Sequence, residues 1–202
     1  INLERTKLDN LNIFRNNGIS GFITAVGNLS GNIKDIDTFI DFDIEYPTYK
    51  GVRIKETFDG KIENQDNGYL LELTPRESVV PTYINIEFDK NLKLDKLNIE
   101  RTLFPGTPGN LNIFKKNNYY QWEANKLNLK KLEFSILDNK DFEWVEGEIT
   151  GSGFVSGDLS DFDGNILLKN GEYRKLNFAE SNIKFDQKGE SLKLESILKT
   201  KD

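Results

Sequence analysis

The closely spaced acids Asp41, Asp43 and Glu45 are the first candidates for chemistry, because paired carboxylates serve as acid and base in glycoside hydrolysis. They alternate strictly with the apolar residues of the segment 40–46, and a period of two is typical of a β-strand. All three carboxylates therefore share one side of the predicted strand, opposite its apolar side. Pro47 is expected to end this strand or to place a bulge there. We interpret the three acids as solvated surface residues and predict no catalytic residues here.

A second acidic group, Asp161-Phe-Asp-Gly-Asn165, has oxygen ligands at alternate positions, as the start of a calcium loop does. Its glycine comes too early for that loop, however, and no Glu stands at the closing position. Asp and Asn are also common turn residues, because their side chains hydrogen-bond to nearby backbone. We therefore interpret the segment as a turn and predict no metal site.

The residue types that are missing limit the chemistry further. The chain has no histidine and no cysteine, which removes the usual general base and the thiol nucleophile. Gly151, Gly153 and Gly157 are not followed by the Gly-Lys-Ser/Thr of a phosphate loop, and we interpret the glycines from Gly147 onward as places where a strand bends or needs a small side chain. We therefore predict a protein that is not an enzyme and that holds no cofactor.

The two tryptophans, Trp122 and Trp144, could stack on a sugar ring, but aromatic side chains of this size are more often part of a core or its rim. We interpret both as core or rim residues. An exposed tryptophan at either position would instead favour a carbohydrate-binding surface.

Charge and length restrict the partners. The 202 residues carry a net charge of −6, which argues against nucleic acid and gives no polybasic patch for anionic lipid headgroups. No apolar run approaches the roughly 20 residues that a membrane-spanning helix needs. Because the chain starts at Ile1 rather than Met, we expect a piece of a longer protein.

Alternation of apolar and polar residues predicts that short strands position all of these residues. The clearest stretch is 147–195, and weaker ones follow one another from residue 18 onward. No segment keeps helical spacing for two turns, so the predicted class is all-β. The chain 1–202 reads as one continuous β-repeat region. The breaker Phe104-Pro-Gly-Thr-Pro-Gly109 allows a sub-boundary near 104–110, between halves 1–103 and 110–202.

Two internal repeats are visible. In the first, Gly21 and Gly27 align with Gly151 and Gly157. In the second, the segment 2–6 recurs as 98–102, and Leu11-Asn-Ile-Phe14, a short alternation that predicts a strand, recurs as Leu111-Asn-Ile-Phe114. Repeats of this kind favour an extended array in which each unit buries its face on its neighbours.

The inward positions of these strands form a long aliphatic face, which is the candidate binding site. Its residues are Ile19, Ile23, Phe42, Ile44, Ile84, Ile86, Leu97, Ile99, Ile149, Val155, Ile166, Leu168, Leu176, Phe178, Ile183, Phe185, Leu192 and Leu194. A closed sandwich or barrel would bury this face as its own core. A sheet that folds over without closing would leave a groove for lipid, since each CH₂ removed from water gains about 0.8 kcal/mol. Alternation alone does not separate the two.

The pattern from Gly147 to Tyr173, Gly-x-Ile-x-Gly-x-Gly-x-Val-x-Gly-x-Leu-Ser-Asp-Phe-Asp-Gly-x-Ile-x-Leu-x-x-Gly-x-Tyr, resembles the repeats of the TamB family. These are inner-membrane-anchored components of the translocation and assembly module, within the AsmA-like group. The segment 18–73 looks like a second, divergent copy. The resemblance implies an elongated, curved antiparallel sheet folded into an open U-shaped groove (a β-taco, related to the β-jellyroll) with an apolar interior.

The resemblance also implies a function and partners. Such a protein would shield or conduct phospholipid acyl chains, or the strands of outer-membrane proteins, across the periplasm of a diderm bacterium. Its partners would be phospholipid and an outer-membrane TamA/BamA-type barrel protein, with the inner membrane reached through a segment of the parent protein. The alternative that the residues leave open is a surface or secreted β-repeat adhesin or carbohydrate-binding module.

Overall fold

The computed structural model describes residues 1–10, 12–16, 19–32, 35–49, 51–78, 80–102, 106, 108–130, 132–136, 143–157, 161–173, 175–189 and 191–199. Within these ranges the chain is all-β, as predicted, with fifteen strands, a 3-10 helix at Leu8–Asn10 and one short helix, α1, at Asn12–Asn16. No helix in this part of the chain is both long and apolar enough to cross a membrane.

The chain divides into two compact units, residues 1–93 with 133–143, and residues 94–132 with 144–202. The strands of the first unit are β1 (Asn2–Lys7), β2 (Ile19–Asn32), β3 (Asp35–Tyr49), β4 (Val52–Ile54), β5 (Thr57–Gln65), β6 (Gly68–Pro75), β7 (Thr82–Asp89) and β11 (Leu132–Ile136). Those of the second are β8 (Leu94–Arg101), β9 (Gly109–Lys116), β10 (Tyr119–Asn128), β12 (Glu143–Ser156), β13 (Phe162–Tyr173), β14 (Leu176–Lys188) and β15 (Ser191–Ile197).

Antiparallel pairing in the first unit follows the order β1-β2-β3-β5-β6-β7. The predicted strand at 40–46 is confirmed within β3, and Ile44 lies opposite both Ile23 and Phe58. Phe58 is 1% exposed and Leu8 of the 3-10 helix is also 1% exposed, so the core of this unit lies on the apolar side of β2, β3 and β5.

A kink interrupts the β2–β3 ladder. Gly21 has a φ of 131° and lies opposite Tyr46 and Pro47, where the register shifts by one residue and Tyr46 has a φ of 51°. An extra residue on one strand is a β-bulge, which bends the strand and increases its twist. The prediction that Pro47 ends the strand or places a bulge there is confirmed as a bulge.

The kink overturns the predicted open U-shaped groove. Before it, β3 pairs with β5, whereas beyond it Thr48 and Tyr49 pair with β4, and β4 in turn pairs with β11. The strands of this unit therefore do not stack in one open series, because the ladder branches at the bend and folds back along β4 and β11. Bends of this kind are how strands pass from one packed layer to another.

Pairing in the second unit follows the order β8-β9-β10-β12-β13-β14-β15, again antiparallel. Its β12–β13 hairpin repeats the kink of β2–β3. Gly147 has a φ of 132° and lies opposite Asn170 and Gly171, where the register shifts and Asn170 has a φ of 50°. The kinks pair Gly21 with Gly147, whereas the sequence comparison paired Gly21 with Gly151, so the alignment of the first repeat was wrong by four residues.

Three other predictions from the sequence can be compared with the structure. The prediction of a short strand at 11–14 is wrong, because Asn12 begins α1. The copy of this segment at 111–114 does form a strand, since it lies in β9. Asp163, Gly164 and Asn165 belong to β13 rather than to a turn. Half of the proposed breaker, residues 104, 105 and 107, lies outside the described part of the chain.

Candidate functional site

The second unit has one continuous apolar side, which we call the apolar face. Strand register defines it, because residues directly opposite each other across an antiparallel pair point to the same side. One row consists of Leu97, Ile113, Trp122, Gly153, Gly164, Phe185 and Leu194, the next of Ile99, Leu111, Ala124, Gly151, Ile166, Ile183 and Ser196, and a third of Tyr120, Val155, Phe162, Gln187 and Leu192.

Trp122 is the centre of the apolar face. Its indole lies over β12 and β13, where Gly153 and Gly164 lack side chains, and stacks on Phe185 with ring centroids 6.0 Å apart and planes 9° from parallel. A Cβ added at Gly164 would stand 2.2 Å from the indole carbon Cζ2. The indole Nε1 donates a hydrogen bond of 3.1 Å to the carbonyl oxygen of Asp163. The two glycines therefore make room for this ring, which fixes the register of the rows.

Burial along the apolar face falls from β10 to β15. Trp122 and Ala124 on β10 are 9% and 6% exposed, whereas Leu192 and Leu194 on β15 are 58% and 63% exposed. Phe185 on β14 is half-buried between them. The same rows are thus most deeply buried at β10 and open to solvent at the β15 end. The open end is the candidate site.

The predicted groove residues divide between the units. Those from Ile19 to Ile86 lie in the first unit and those from Leu97 to Leu194 in the second. Half-buried are Ile19, Ile23, Phe42, Ile44, Ile84, Ile86, Leu97, Ile99, Ile149, Val155, Ile166, Leu168, Phe178, Ile183 and Phe185, and exposed are Leu176, Leu192 and Leu194. Phe178 and Leu176 lie opposite Gly171 and Tyr173, beyond the kink at Asn170.

In the first unit the predicted residues pack onto one another. Ala25, Phe42, Gly60, Leu73 and Ile84 form one row across β2, β3, β5, β6 and β7. The ring of Phe42 occupies the space above Gly60, where an added Cβ would stand 2.2 Å from its Cζ. The 3-10 helix and α1 pack against β2 on the N-terminal side. This row is therefore filled by the unit's own side chains.

Two of the three acidic candidates of β3, Asp43 and Glu45, are engaged with arginines, and the third, Asp41, is exposed. Arg76 donates hydrogen bonds to both Asp59 and Asp43, and Arg5 donates to Glu45 at 3.0 Å. The hydrogen bond from Arg76 lowers the pKa of Asp59, and that from Arg5 lowers the pKa of Glu45. Partial burial raises the pKa of Asp43, with the neighbouring Asp59 adding to the rise. These contacts fit the interpretation of solvated surface residues.

The acidic group on β13 has a structural role. A carboxylate oxygen of Asp161 accepts the backbone N–H of Gly189 at 2.9 Å, and one of Asp163 accepts the backbone N–H of Phe154 at 3.2 Å. In the part of the chain that the structure describes, no group of three or more acidic side chains is placed to hold a metal ion.

Sequence reasoning missed the arrangement around Trp122. Its interpretation as a core residue is confirmed, so an exposed sugar-stacking Trp122 is wrong. The side chain of Trp144 lies outside the part of the chain that the structure describes. The glycines were interpreted as bends or places for a small side chain. Gly147 lies at a bend, and Gly164 leaves room for the ring of Trp122. That Gly153 and Gly164 face Trp122 depends on register between strands, which no local pattern contains.

Comparisons with known proteins add no identity, since no protein-family model, no curated protein and no solved structure matches this chain.

Proposed function

We propose that this chain shields hydrophobic cargo, foremost the acyl chains of phospholipid, on the open end of its apolar face. The observation that carries the proposal is the exposure of Leu192 and Leu194, which continue the rows of Phe162 and Phe185 beyond the covered part of the sheet. Each methylene of an acyl chain laid on these leucines would gain about 0.8 kcal/mol by leaving water.

The neighbouring side chains support an apolar ligand. Phe162 and Phe185 lie with ring centroids 5.7 Å apart beside the stacked Trp122, so a broad and rigid aromatic surface adjoins the flexible leucines. Leu198 follows β15 and is 54% exposed. Contiguous exposed apolar residues of this kind mark interaction sites on soluble domains. The cargo would rest on a sheet face and not in a groove that runs through the chain.

The resemblance of the segment 147–173 to TamB repeats supports the same class of function. We therefore propose a TamB-like role in the periplasm of a diderm bacterium, with the parent protein anchored in the inner membrane and a TamA/BamA-type protein as the outer-membrane partner. Strands of outer-membrane proteins are the second cargo that such a face would accept, since they also expose alternate apolar residues. The role is non-catalytic, which the pairing of Asp43 and Glu45 on β3 with arginines supports.

The test is lipid retention by native mass spectrometry after incubation with dioleoylphosphatidylethanolamine vesicles. The variant Leu192→Asp/Leu194→Asp places two charges on the open end. The matched control, Val26→Asp/Val52→Asp, adds the same charge at exposed apolar residues of the first unit. We expect bound lipid on the wild type and the control, and a loss of at least tenfold for the β15 variant. The proposal would be contradicted if the wild-type protein bound no lipid, or if both variants retained the same amount of lipid.

A further inference from the structure

The second unit also has a polar side, opposite the apolar face, which we call the polar face. Register again defines it. One row consists of Lys96, Phe114, Gln121, Phe154, Asp163, Asp186 and Lys193, and the next of Asn98, Asn112, Glu123, Ser152, Asn165, Lys184 and Glu195. An open cleft of about 410 Å³ lies over β10, β12, β13 and β14 on this side. Gln121, Phe154, Asn165 and Lys184 are among its lining residues.

The polar groups of the cleft match hydroxyl groups. Gln121 and Asn165 each carry donors and acceptors, and Ser152 carries a hydroxyl that does both. Rows of amides continue beyond the cleft, where Asn98 donates to the side-chain oxygen of Asn112 at 2.8 Å. A ligand whose own groups both donate and accept would bond along such rows at every strand. Polyhydroxylated molecules have this property.

The charges of the cleft favour a neutral ligand. Lys184 and Lys188 are balanced by Asp163 and Asp186, and the Lys188 ammonium lies 3.7 Å from the Asp186 carboxylate. Phosphate-rich ligands need an excess of cations, because binding depends on neutralising their charge. The cleft has no such excess.

An exposed aromatic ring completes the cleft. Phe154 is 44% exposed and is held edge-on by Tyr119, with ring centroids 5.3 Å apart and planes at 82°. Phe114 lies in the same row with β10 between them, which places the two backbones about 10 Å apart at the usual strand spacing. Flat rings of this kind give apolar contact at a low entropic cost, since they have only two side-chain torsions. Aromatic rings spaced along a line of amides suit a chain of sugar rings.

We propose that the polar face binds an extended, neutral saccharide chain that crosses the strands at Phe154. Its sugar rings would pack on Phe154 and, further along, on Phe114. Their hydroxyl groups would exchange hydrogen bonds with Gln121, Ser152 and Asn165. These polar side chains lie on the side of the strands opposite the proposed lipid surface, although Phe185 of the apolar face also lines the cleft.

The test is isothermal titration calorimetry with cellohexaose, maltohexaose, laminarihexaose and chitohexaose, with a heparin hexasaccharide as the charged comparison. We expect at least one neutral hexasaccharide to bind and Phe154→Ala to weaken it at least tenfold. The matched control is Tyr83→Ala, an aromatic residue 40% exposed in the first unit, which should leave binding unchanged. The variant Leu192→Asp/Leu194→Asp should also bind saccharide normally, which separates this site from the lipid surface.

A second readout does not depend on a substitution. In nuclear magnetic resonance spectra, the side-chain amide signals of Gln121 and Asn165 should shift when the saccharide is added. The proposal is overturned if no neutral hexasaccharide binds, if only the heparin fragment binds, or if Phe154→Ala binds as tightly as the wild type.

Discussion

The hairpins β2–β3 and β12–β13 share a backbone and differ in what covers their apolar side. Each has a glycine with a φ near 131° opposite a non-glycine residue with a φ near 50°, Gly21 with Tyr46 and Gly147 with Asn170. Each also lies next to an aromatic ring that occupies the space over a glycine, Phe42 over Gly60 in one unit and Trp122 over Gly164 in the other.

The difference lies in the strands that follow. In the first unit β5 places the fully buried Phe58 opposite Ile44, and the sheet continues through β6 and β7. In the second unit β14 places the buried Ser181 opposite Leu168, and β15 is exposed along its whole length. The first hairpin therefore buries its apolar side in the core of its own unit, whereas part of the apolar side of the second hairpin stays exposed and available to a ligand.

The largest expected effect concerns Phe58. Phe58→Ala should lower the free energy of unfolding by about 3–5 kcal/mol, because it removes a fully buried ring and leaves a cavity. Ser181→Ala, at the position opposite Leu168, should be neutral or raise it by up to about 1 kcal/mol, since the buried hydroxyl has no hydrogen-bond partner among the described residues. Urea unfolding followed by circular dichroism measures both. Similar losses at the two positions would contradict the assignment of a dense core to the first hairpin.

The kink glycines test whether the hairpins are true structural copies. Gly21→Ala and Gly147→Ala should each cost about 1–3 kcal/mol of unfolding free energy, because a side chain is strained at their positive φ. Gly189→Ala is a milder control, since its φ is 55° and a Cβ there would meet nothing within 4 Å. If only one kink glycine proves sensitive in thermal or urea unfolding, the kinks are not equivalent.

The smallest effect concerns the acidic side of β3. The pKa of Asp59 is lowered in the folded protein by its hydrogen bond with Arg76, so its contribution to stability is present above the unfolded pKa of about 3.9 and is lost as the pH falls through the folded value. Asp59 and Arg76 are about half exposed, and solvent screening limits the contribution to less than about 1 kcal/mol. The raised pKa of Asp43 acts in the opposite direction. Asp59→Asn should therefore flatten the fall in stability below pH 4 in a urea titration series, and an unchanged slope would rule out this pair as its source.

Much of the fold follows from local patterns in the sequence. Alternation predicts the strand at 40–46 and the all-β class, and Pro47 marks the bulge in β3. These predictions hold because side-chain periodicity and the geometry of proline act within a few residues. The helix at Asn12–Asn16 was missed, since its sequence also occurs as a strand in β9 and the surroundings decide between the two.

The candidate site was less predictable. The sequence predicted both Phe185 and Leu194 as inward-facing apolar residues, and it did not predict that one would be more exposed than the other. Their different exposure depends on which strands flank β14 and β15, and on a tryptophan 63 residues before Phe185 that lies over two glycines. Pairing between distant strands decides this, and it also decides that the ladder branches at β4, where the family resemblance implied an open groove.

The most direct test of the open apolar face uses Trp122 as a reporter. The chain has two tryptophans, so Trp144→Phe leaves Trp122 alone, stacked on Phe185 one strand from Leu194. Vesicles of dibromostearoyl phosphatidylcholine should quench its fluorescence, because bromine atoms on acyl chains laid over Leu194 come close to the indole. Adding Leu194→Asp should remove most of that quenching. Emission that is unchanged by brominated lipid, under conditions where the protein retains lipid, would contradict binding at the open end of the apolar face.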